Sequence, residues 1–189
     1  MQKNNAKMTW DTRTLVFLAL LIAMHIVLVR LVVIDLGSYR ITIGSVCTII
    51  AGLWFGPLAG GVSGLISDIL GCILKGYAVN PFITVAAILW GVVPALMHPL
   101  VQGGRGRKTA MLSVSVVVTS ILSTLLFTTA GLVILMGYHL FAILPGRIIQ
   151  WAIMTPIYCV LTCMLYFSPL TAMVWSATGR GKKSPARSA

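Results

Sequence analysis

The sequence has few charged residues and almost no acidic ones. Charged side chains make up 9% of its 189 residues, glutamate is absent, and the acids are three aspartates, Asp11, Asp35 and Asp68. Soluble domains carry about 25% charged residues, so this chain lacks the polar side chains that would cover a water-soluble globule. The composition therefore excludes a soluble enzyme, a nucleic-acid-binding domain and a disordered chain as the main interpretation.

Groups that catalyse reactions or bind metal ions are also scarce. The four cysteines all lie within apolar runs and no HExxH motif occurs, so we expect no metal site and interpret the cysteines as small buried hydrophobic residues. Gly103–Thr109 reads GGRGRKT, which is similar to a P-loop, but Arg107 stands where that motif has a glycine. We therefore expect neither an enzyme nor a bound cofactor.

Apolar residues are abundant, at 58% of the chain, and the mean hydropathy is +0.99. A bilayer core takes about 20 apolar residues per helix. Six apolar segments are predicted as spans, at 15–36, 41–55, 58–74, 81–101, 109–136 and 145–167. The sequence thus predicts an all-α integral membrane protein with six transmembrane helices, formed by residues 14–168.

The basic residues outside these spans predict the orientation. They occur in the N-terminal segment 1–13, the loop between the fourth and fifth spans, and the tail 169–189, which an even number of spans places on one side of the membrane. By the positive-inside rule that side is cytoplasmic. We expect both termini there, with a disordered end to the basic tail. The basic residues on this predicted cytoplasmic side are Lys3, Lys7, Arg13, Arg105, Arg107, Lys108, Arg180, Lys182, Lys183 and Arg187.

The remaining basic residues fall in the outer half of a span or in an outer loop, and they are Arg30, Arg40, Lys75 and Arg147. Each alone could extend to lipid headgroups, as long basic side chains near span ends do. Arg30, however, lies in an otherwise apolar segment, where a charge is costly. Together the four predict the lining of an outward-facing pocket for an anion.

Asp68 falls inside a predicted span, which makes it a candidate site residue. It could pair with a basic residue, accept hydrogen bonds from an amino-bearing ligand, or relay protons. Tyr77 and Trp90 could contact a flat ligand. Alternatively, Tyr77 could belong to the interfacial aromatic belt and Trp90 to the packing between helices. The fifth span is rich in serine and threonine, which indicates that one of its faces meets something polar.

Small residues recur at spacings that allow close helix packing in lipid. Glycines repeat every four residues from Gly52 to Gly64, and we interpret them as packing contacts within the protein. Ala19 and Ala23 form a second small-xxx-small pair near the cytoplasmic end of the first span, where they could equally serve a partner helix.

The stretch at 40–74, RITIGSVCTIIAGLWFGPLAGGVSGLISDILGCIL, resembles the substrate-binding S components of energy-coupling factor (ECF) vitamin transporters, and the folate branch most of all. The matching features are Arg40-Ile-Thr, Ala51-Gly52, Phe55-Gly56-Pro57, Asp68-x-x-Gly71, Arg30-Leu31 and LPGRIIQWAIMTPIY at 144–158. The chain differs from that branch at Asn80-Pro81-Phe82-Ile83-Thr84, where Pro-Gly-Phe-Thr is usual, and at Ser123-Thr124, where Asn-Thr is usual.

The resemblance implies a six-helix S component of a bacterial plasma membrane that binds a small anionic vitamin from outside with high affinity and reorients in the membrane. Its implied partners are a transmembrane coupling protein (EcfT-like), which would contact Ala19 and Ala23, and two ABC ATPases (EcfA-like), which use the ATP. Membrane lipid surrounds the chain, and no nucleic acid is involved. Folate, a dianion with a flat pterin, suits the four outer basic residues.

We therefore predict the folate-binding subunit of an ECF-type ABC importer. Its predicted substrate contacts are Arg30, Arg40, Asp68, Lys75, Tyr77, Trp90 and Arg147. One alternative is an S component for another vitamin or precursor, such as pantothenate, pyridoxine or hydroxymethylpyrimidine. A second alternative is a stand-alone proton-coupled secondary transporter that uses Asp68. A small membrane enzyme acting on lipid is disfavoured by the scarcity of acid–base groups.

Overall fold

The computed structural model describes residues 11–30, 34–35, 40–101 and 104–178. Its main helices are α1 (Thr12–Arg30), α2 (Ser45–Phe55), α3 (Pro57–Lys75), α4 (Pro81–Met97), α5 (Arg105–Ser120), α6 (Thr129–Met136), α7 (Leu140–Phe167) and α8 (Pro169–Ala177). A 3₁₀ turn, His98–Leu100, ends α4, and a π-helix, Ile121–Thr128, joins α5 to α6. Two short strands, β1 (Ile34–Asp35) and β2 (Arg40–Ile41), lie between α1 and α2.

The helices confirm the predicted all-α fold class of an apolar membrane protein, to which the two short strands are a minor addition. Within the described residues, five helical stretches are long and apolar enough to cross a bilayer, at Thr12–Val29, Pro57–Lys75, Pro81–Leu100, Arg105–Met136 and Leu140–Phe167. The remaining predicted span corresponds to α2, whose 11 residues are shorter than the bilayer core requires. The count of six spans and the cytoplasmic position of the termini stay predictions.

The first predicted span is too long at its C-terminal end. Helix α1 ends at Arg30, and β1 and β2 pair as an antiparallel ladder in which Ile34 faces Ile41 and Asp35 faces Arg40 in register. The β-branched isoleucines favour strand over helix, and charged Asp35 and Arg40 are costly in hydrocarbon. Strand β2 likewise removes Ile41 from the second predicted span.

Helix α2 forms the centre of the bundle. Every residue from Val46 to Phe55 is buried, as expected for a helix that is apolar on all sides. It packs against α3 and α4, which also contact each other, and a side chain on Gly52, Gly60 or Gly91 would collide with a facing backbone. Gly52, Gly60 and Gly64 of the glycine repeat are therefore packing contacts, as the sequence predicted, whereas Gly56 has a positive φ of 94° at the α2–α3 junction and a Cβ there would meet nothing within 4 Å.

The start of α1 lies beside the end of α8, and the start of α5 lies beside the end of α7, at one end of the bundle. The Arg13 guanidinium donates a hydrogen bond to the Ala177 carbonyl over 3.1 Å, and the Arg105 guanidinium lies 5.3 Å from the centroid of the Phe167 ring. Three segments that the sequence placed on the same side are thus neighbours. The cavity described next lies at the opposite ends of these helices.

Candidate substrate-binding site

A cavity of about 520 Å³ opens at the end of the bundle formed by Thr42, the turn after α3 and the turn after α6. Pockets for small organic molecules usually have volumes of about 300–1,000 Å³. The walls come from α1, α2, α3, α4, the π-helix, α6, α7 and the turns next to them. Their polar and aromatic members are His25, Thr42, Ser45, Thr48, Asp68, Tyr77, Asn80, Trp90, Ser123, Thr124, Thr128, Tyr138, Arg147, Gln150 and Tyr158.

Asp68 supplies a carboxylate to the α3 wall of the cavity. The side chain is half-buried, and the Thr84 hydroxyl donates a hydrogen bond to Asp68 Oδ2 over 2.7 Å. Among the residues that the structure describes, none forms a salt bridge with this carboxylate. A carboxylate has about four acceptor positions, so Asp68 can still accept hydrogen bonds from a ligand.

The α3–α4 turn that borders Asp68 is fixed by Asn80. Asn80 Oδ1 accepts a hydrogen bond from the Phe82 N–H over 3.0 Å and so caps α4, while Asn80 Nδ2 donates to the Gly131 carbonyl over 3.1 Å. Gly131 allows this approach, because a Cβ there would lie 2.9 Å from Phe82 Cβ and 3.1 Å from Asn80 Oδ1. The wall is thus held in place before any ligand binds.

Arg147 supplies a positive charge to the α7 wall. Its side chain is only 6% exposed, and a guanidinium stays protonated even when it is buried. A charged side chain that is buried within a membrane-spanning helix is costly, and such residues are typical of substrate or ion sites. Asp68 and Arg147 therefore give the cavity one group of each sign on separate walls.

Aromatic side chains line both the interior and the mouth of the cavity. Trp90 is buried, and its ring makes an edge contact with Tyr158 at a centroid distance of 5.1 Å. Tyr77 and Tyr138, which are 47% and 40% exposed, each follow a glycine that ends a helix in the left-handed conformation. The cavity can therefore contact a flat ring from its interior and from its rim.

Hydroxyl groups make up much of the remaining surface. Ser123, Thr124 and Thr128 come from the π-helix, a form that is frequent at functional sites. The Ser123 hydroxyl donates to the Ala86 carbonyl over 2.8 Å. On the other side, the Thr48 hydroxyl is 2.9 Å from His25 Nδ1. The hydroxyl-rich fifth span thus presents a face to a polar cavity.

The structure brings together Asp68, Tyr77, Trp90 and Arg147 of the predicted site residues. Lys75 is exposed at the end of α3 and is not among the residues that line the cavity. The side chains of Arg30 and Arg40 lie outside the described part of the chain, although Arg30 ends α1 and Arg40 begins β2. Contact of all seven with a substrate stays a prediction.

Several cavity residues were missed by the sequence analysis, namely His25, Ser45, Thr48, Gln150 and Tyr158. His25 and Gln150 could have been noticed, since each is an isolated polar residue in an apolar helix. For Ser45, Thr48 and Tyr158 the sequence carries no such signal, because the same residue types also occur in helix packing.

Ala19 and Ala23 lie on a different surface. Both are exposed on α1, together with Val16 and Leu20. His25 on the same helix lines the cavity. Helix α1 thus has one side toward the site and another that no described part of the chain covers.

A polar, aromatic-lined cavity at one end of an apolar helical bundle defines a membrane-embedded protein that binds a small polar solute. The family described as "ECF transporter, substrate-specific component" matches residues 13–166, and the chain belongs to this family. The family consists of the substrate-binding components of transporters, not of enzymes.

Two relatives connect this chain to folate transporters. The chain is 29% identical over 148 residues to the folate transporter FolT of Clostridium novyi (strain NT), an alignment that covers 77% of this chain and 83% of the relative. It also shares its fold with the crystal structure of FolT bound with folic acid, with a TM-score of 0.72 and 22% identity over 82% of this chain and 93% of the other. The structural likeness confirms the ECF S-component fold.

Proposed function

We propose that this chain is the high-affinity folate-binding subunit of an ECF-type ABC importer. The observation that carries the proposal is that one carboxylate, Asp68, and one arginine, Arg147, line separate walls of a single cavity of about 520 Å³. Folate needs complementary groups of both kinds, because it has an amino-bearing ring at one end and carboxylates at the other. The similarity to a folate transporter points to the same ligand.

In this proposal Asp68 recognises the pterin ring. The ring presents an amino group and an adjacent ring N–H along one edge, and a carboxylate can accept from both. The Thr84 hydroxyl, 2.7 Å from Asp68 Oδ2, orients the carboxylate. Trp90 and Tyr77 supply aromatic surface against the flat ring.

Arg147 binds the anionic part of the ligand. A guanidinium can hold a carboxylate with two parallel hydrogen bonds, which are stronger when both partners are charged. Arg30, Arg40 and Lys75 are proposed to add positive charge around the cavity mouth. They would raise the local concentration of an anion before it binds.

Delivery into the cell requires partners. We infer that a transmembrane coupling protein contacts the exposed face of α1 at Ala19 and Ala23, and that two ABC ATPases supply the energy. Small residues let two helices approach closely in lipid, and both alanines are exposed. Reorientation of the whole bundle would then carry the cavity from one side of the membrane to the other.

Calorimetric titration of the purified protein tests the proposal. Folate is expected to bind tightly at one site per chain, whereas pantothenate and pyridoxine are expected to bind weakly, because neither combines the pterin edge with two carboxylates. Hydroxymethylpyrimidine has an amino group but no carboxylate and should also bind weakly. Tight binding of one of these three with no heat from folate would reassign the substrate.

A further inference from the structure

Asn80 lies in the turn between α3 and α4, where it connects the wall that carries Asp68 to α6. Both ends of its side-chain amide bind the backbone, because Oδ1 accepts from the Phe82 N–H and Nδ2 donates to the Gly131 carbonyl. We propose that Asn80 and Gly131 are positioning residues that set folate affinity by fixing the orientation of the Asp68 carboxylate. This inference rests on the proposed function.

A continuous chain of hydrogen bonds runs from α6 to this carboxylate. The Asn80 side chain donates to the Gly131 carbonyl over 3.1 Å, and the Asn80 carbonyl accepts from the Thr84 N–H over 2.9 Å. The Thr84 hydroxyl lies 3.1 Å from the same carbonyl and donates to Asp68 Oδ2 over 2.7 Å. The position of Asn80 therefore determines where the Thr84 hydroxyl, and the carboxylate oxygen bound to it, are held.

The supporting part of this chain is shielded from water, whereas its end is accessible to a ligand. Asn80 and Thr84 are only 6% and 8% exposed, so a hydrogen bond lost here leaves a buried polar group without its partner. Asp68 is half-buried and lines the cavity. A carboxylate that is oriented before the ligand arrives costs less ordering on binding, which strengthens affinity.

Gly131 permits the contact between α6 and the turn. A Cβ there would lie 2.9 Å from Phe82 Cβ and 3.1 Å from Asn80 Oδ1, so an alanine must push the turn away from α6. Gly131 is not among the residues that line the cavity. A weaker affinity in Gly131→Ala would therefore not be the loss of a direct contact with the ligand.

Calorimetric titration of two variants with folate tests the inference. Asn80→Ser keeps a side-chain oxygen that can cap α4, since serine and asparagine are similarly good N-caps, but its side chain is too short to bind the Gly131 carbonyl. Gly131→Ala displaces the turn instead. Each variant is expected to bind folate about three- to tenfold more weakly, the effect of one net hydrogen bond. A neutral pterin without the glutamate should lose the same factor, because Asp68 is proposed to contact the ring.

Combination with Asp68→Asn shows whether the effect passes through this carboxylate. In the Asp68→Asn background, Asn80→Ser and Gly131→Ala should cause little further loss of folate affinity, because the group that they orient is already altered. Such non-additivity is the signature of residues that act through one another.

Gly61→Ala is the matched control. A Cβ at Gly61 would lie 3.0 Å from Val92 Cγ2, so the substitution crowds α3 and α4 at a position that does not line the cavity. It should lower the thermal unfolding midpoint, as Gly131→Ala should, and leave folate affinity at the wild-type value. The same unfolding measurement shows that each variant is folded, and Asn80→Ser alone decides if Gly131→Ala is not.

Two results would overturn the inference and leave the proposed function intact. One is a loss that adds fully to that of Asp68→Asn, and the other is wild-type folate affinity in either folded variant. A wild-type protein that gives no folate signal at all would instead overturn the proposed function, and this inference with it.

Discussion

At the scale of single residues, two charged groups of opposite sign distinguish this cavity from an ordinary gap between membrane helices. Asp68 is half-buried and oriented by a hydroxyl, and Arg147 is almost fully buried. Each is costly in a lipid environment. Their positions on separate walls of one cavity favour a ligand that carries a donor edge and an anion.

Asp68→Asn is expected to weaken folate binding about ten- to hundredfold. The amide cannot replace a charged acceptor for two donors, and hydrogen bonds to charged groups contribute about 1.5–3 kcal/mol. Because Asp68 is proposed to contact the pterin, a neutral pterin that lacks the glutamate should lose affinity by a similar factor. Calorimetry measures both, with Asp11→Asn, at an exposed position before α1, as the control. Equal affinities for wild type and Asp68→Asn would remove Asp68 from the site.

Arg147→Gln should show the complementary pattern. Folate affinity is expected to fall about tenfold or more, since a charge-assisted pair with a carboxylate is lost. A neutral pterin should lose little, because it has no carboxylate to pair with. Competition binding with the two ligands checks this, and Arg107→Gln, on the exposed first turn of α5, provides the control. Equal losses for both ligands would mean that Arg147 supports the fold and not anion binding.

At the scale of secondary-structure elements, the α2–α3–α4 unit gives the cavity a rigid side. Gly52 and Gly60 both face Gly91 at distances that exclude a side chain. Such close contacts between backbones gain dispersion energy that larger residues would prevent. The walls that carry Thr48, Asp68 and Trp90 are thus fixed relative to one another.

Gly91→Ala tests this rigidity. A Cβ at this position would overlap the Gly60 backbone, so α3 and α4 must separate. Overpacking of this kind costs about 1–3 kcal/mol, and the thermal unfolding midpoint should fall by several degrees. Gly106→Ala, where a Cβ would meet nothing within 4 Å, should leave the midpoint unchanged. A Gly91→Ala protein as stable as the wild type would contradict the close packing.

The sequence could predict the long helices but not the elements between them. Hydropathy locates α3, α4 and α7 because a bilayer requires long apolar runs. It could not limit the helix of the second predicted span to the 11 residues of α2, or end α1 at Arg30, since side-chain polarity does not report strand pairing. The same limit applies to the site. Asp68 and Arg147 could be selected because a charge in an apolar segment is unusual. Tyr158 could not, because its position at the cavity depends on how the helices pack, which its neighbours in the sequence do not reveal.

At the scale of the whole molecule, α1 connects two surfaces. One side contributes His25 to the cavity, and the other exposes Ala19 and Ala23. Substrate-specific components of ECF transporters in general associate with a partner, the coupling protein EcfT together with its ATPases. The exposed alanines of α1 are the surface that we propose for that partner.

Replacing both alanines with leucine tests the partner surface. The double variant Ala19→Leu/Ala23→Leu should still bind folate with wild-type affinity, since neither residue lines the cavity. It should fail to co-purify with the coupling protein and ATPases, because larger side chains prevent close helix contact. A control double variant, Ile149→Leu/Ile153→Leu, changes exposed residues of α7 at the same spacing. Normal co-purification of the alanine variant would place the partner surface elsewhere.

The most direct test of the central claim is mass spectrometry of the small molecule that the wild-type protein retains after purification in detergent from cells grown with folate. We expect folate, at about one molecule per chain, and its loss from the Asp68→Asn/Arg147→Gln double variant. A retained molecule without a pterin ring, or folate retained equally by the double variant, would contradict the claim that these two residues form a folate site.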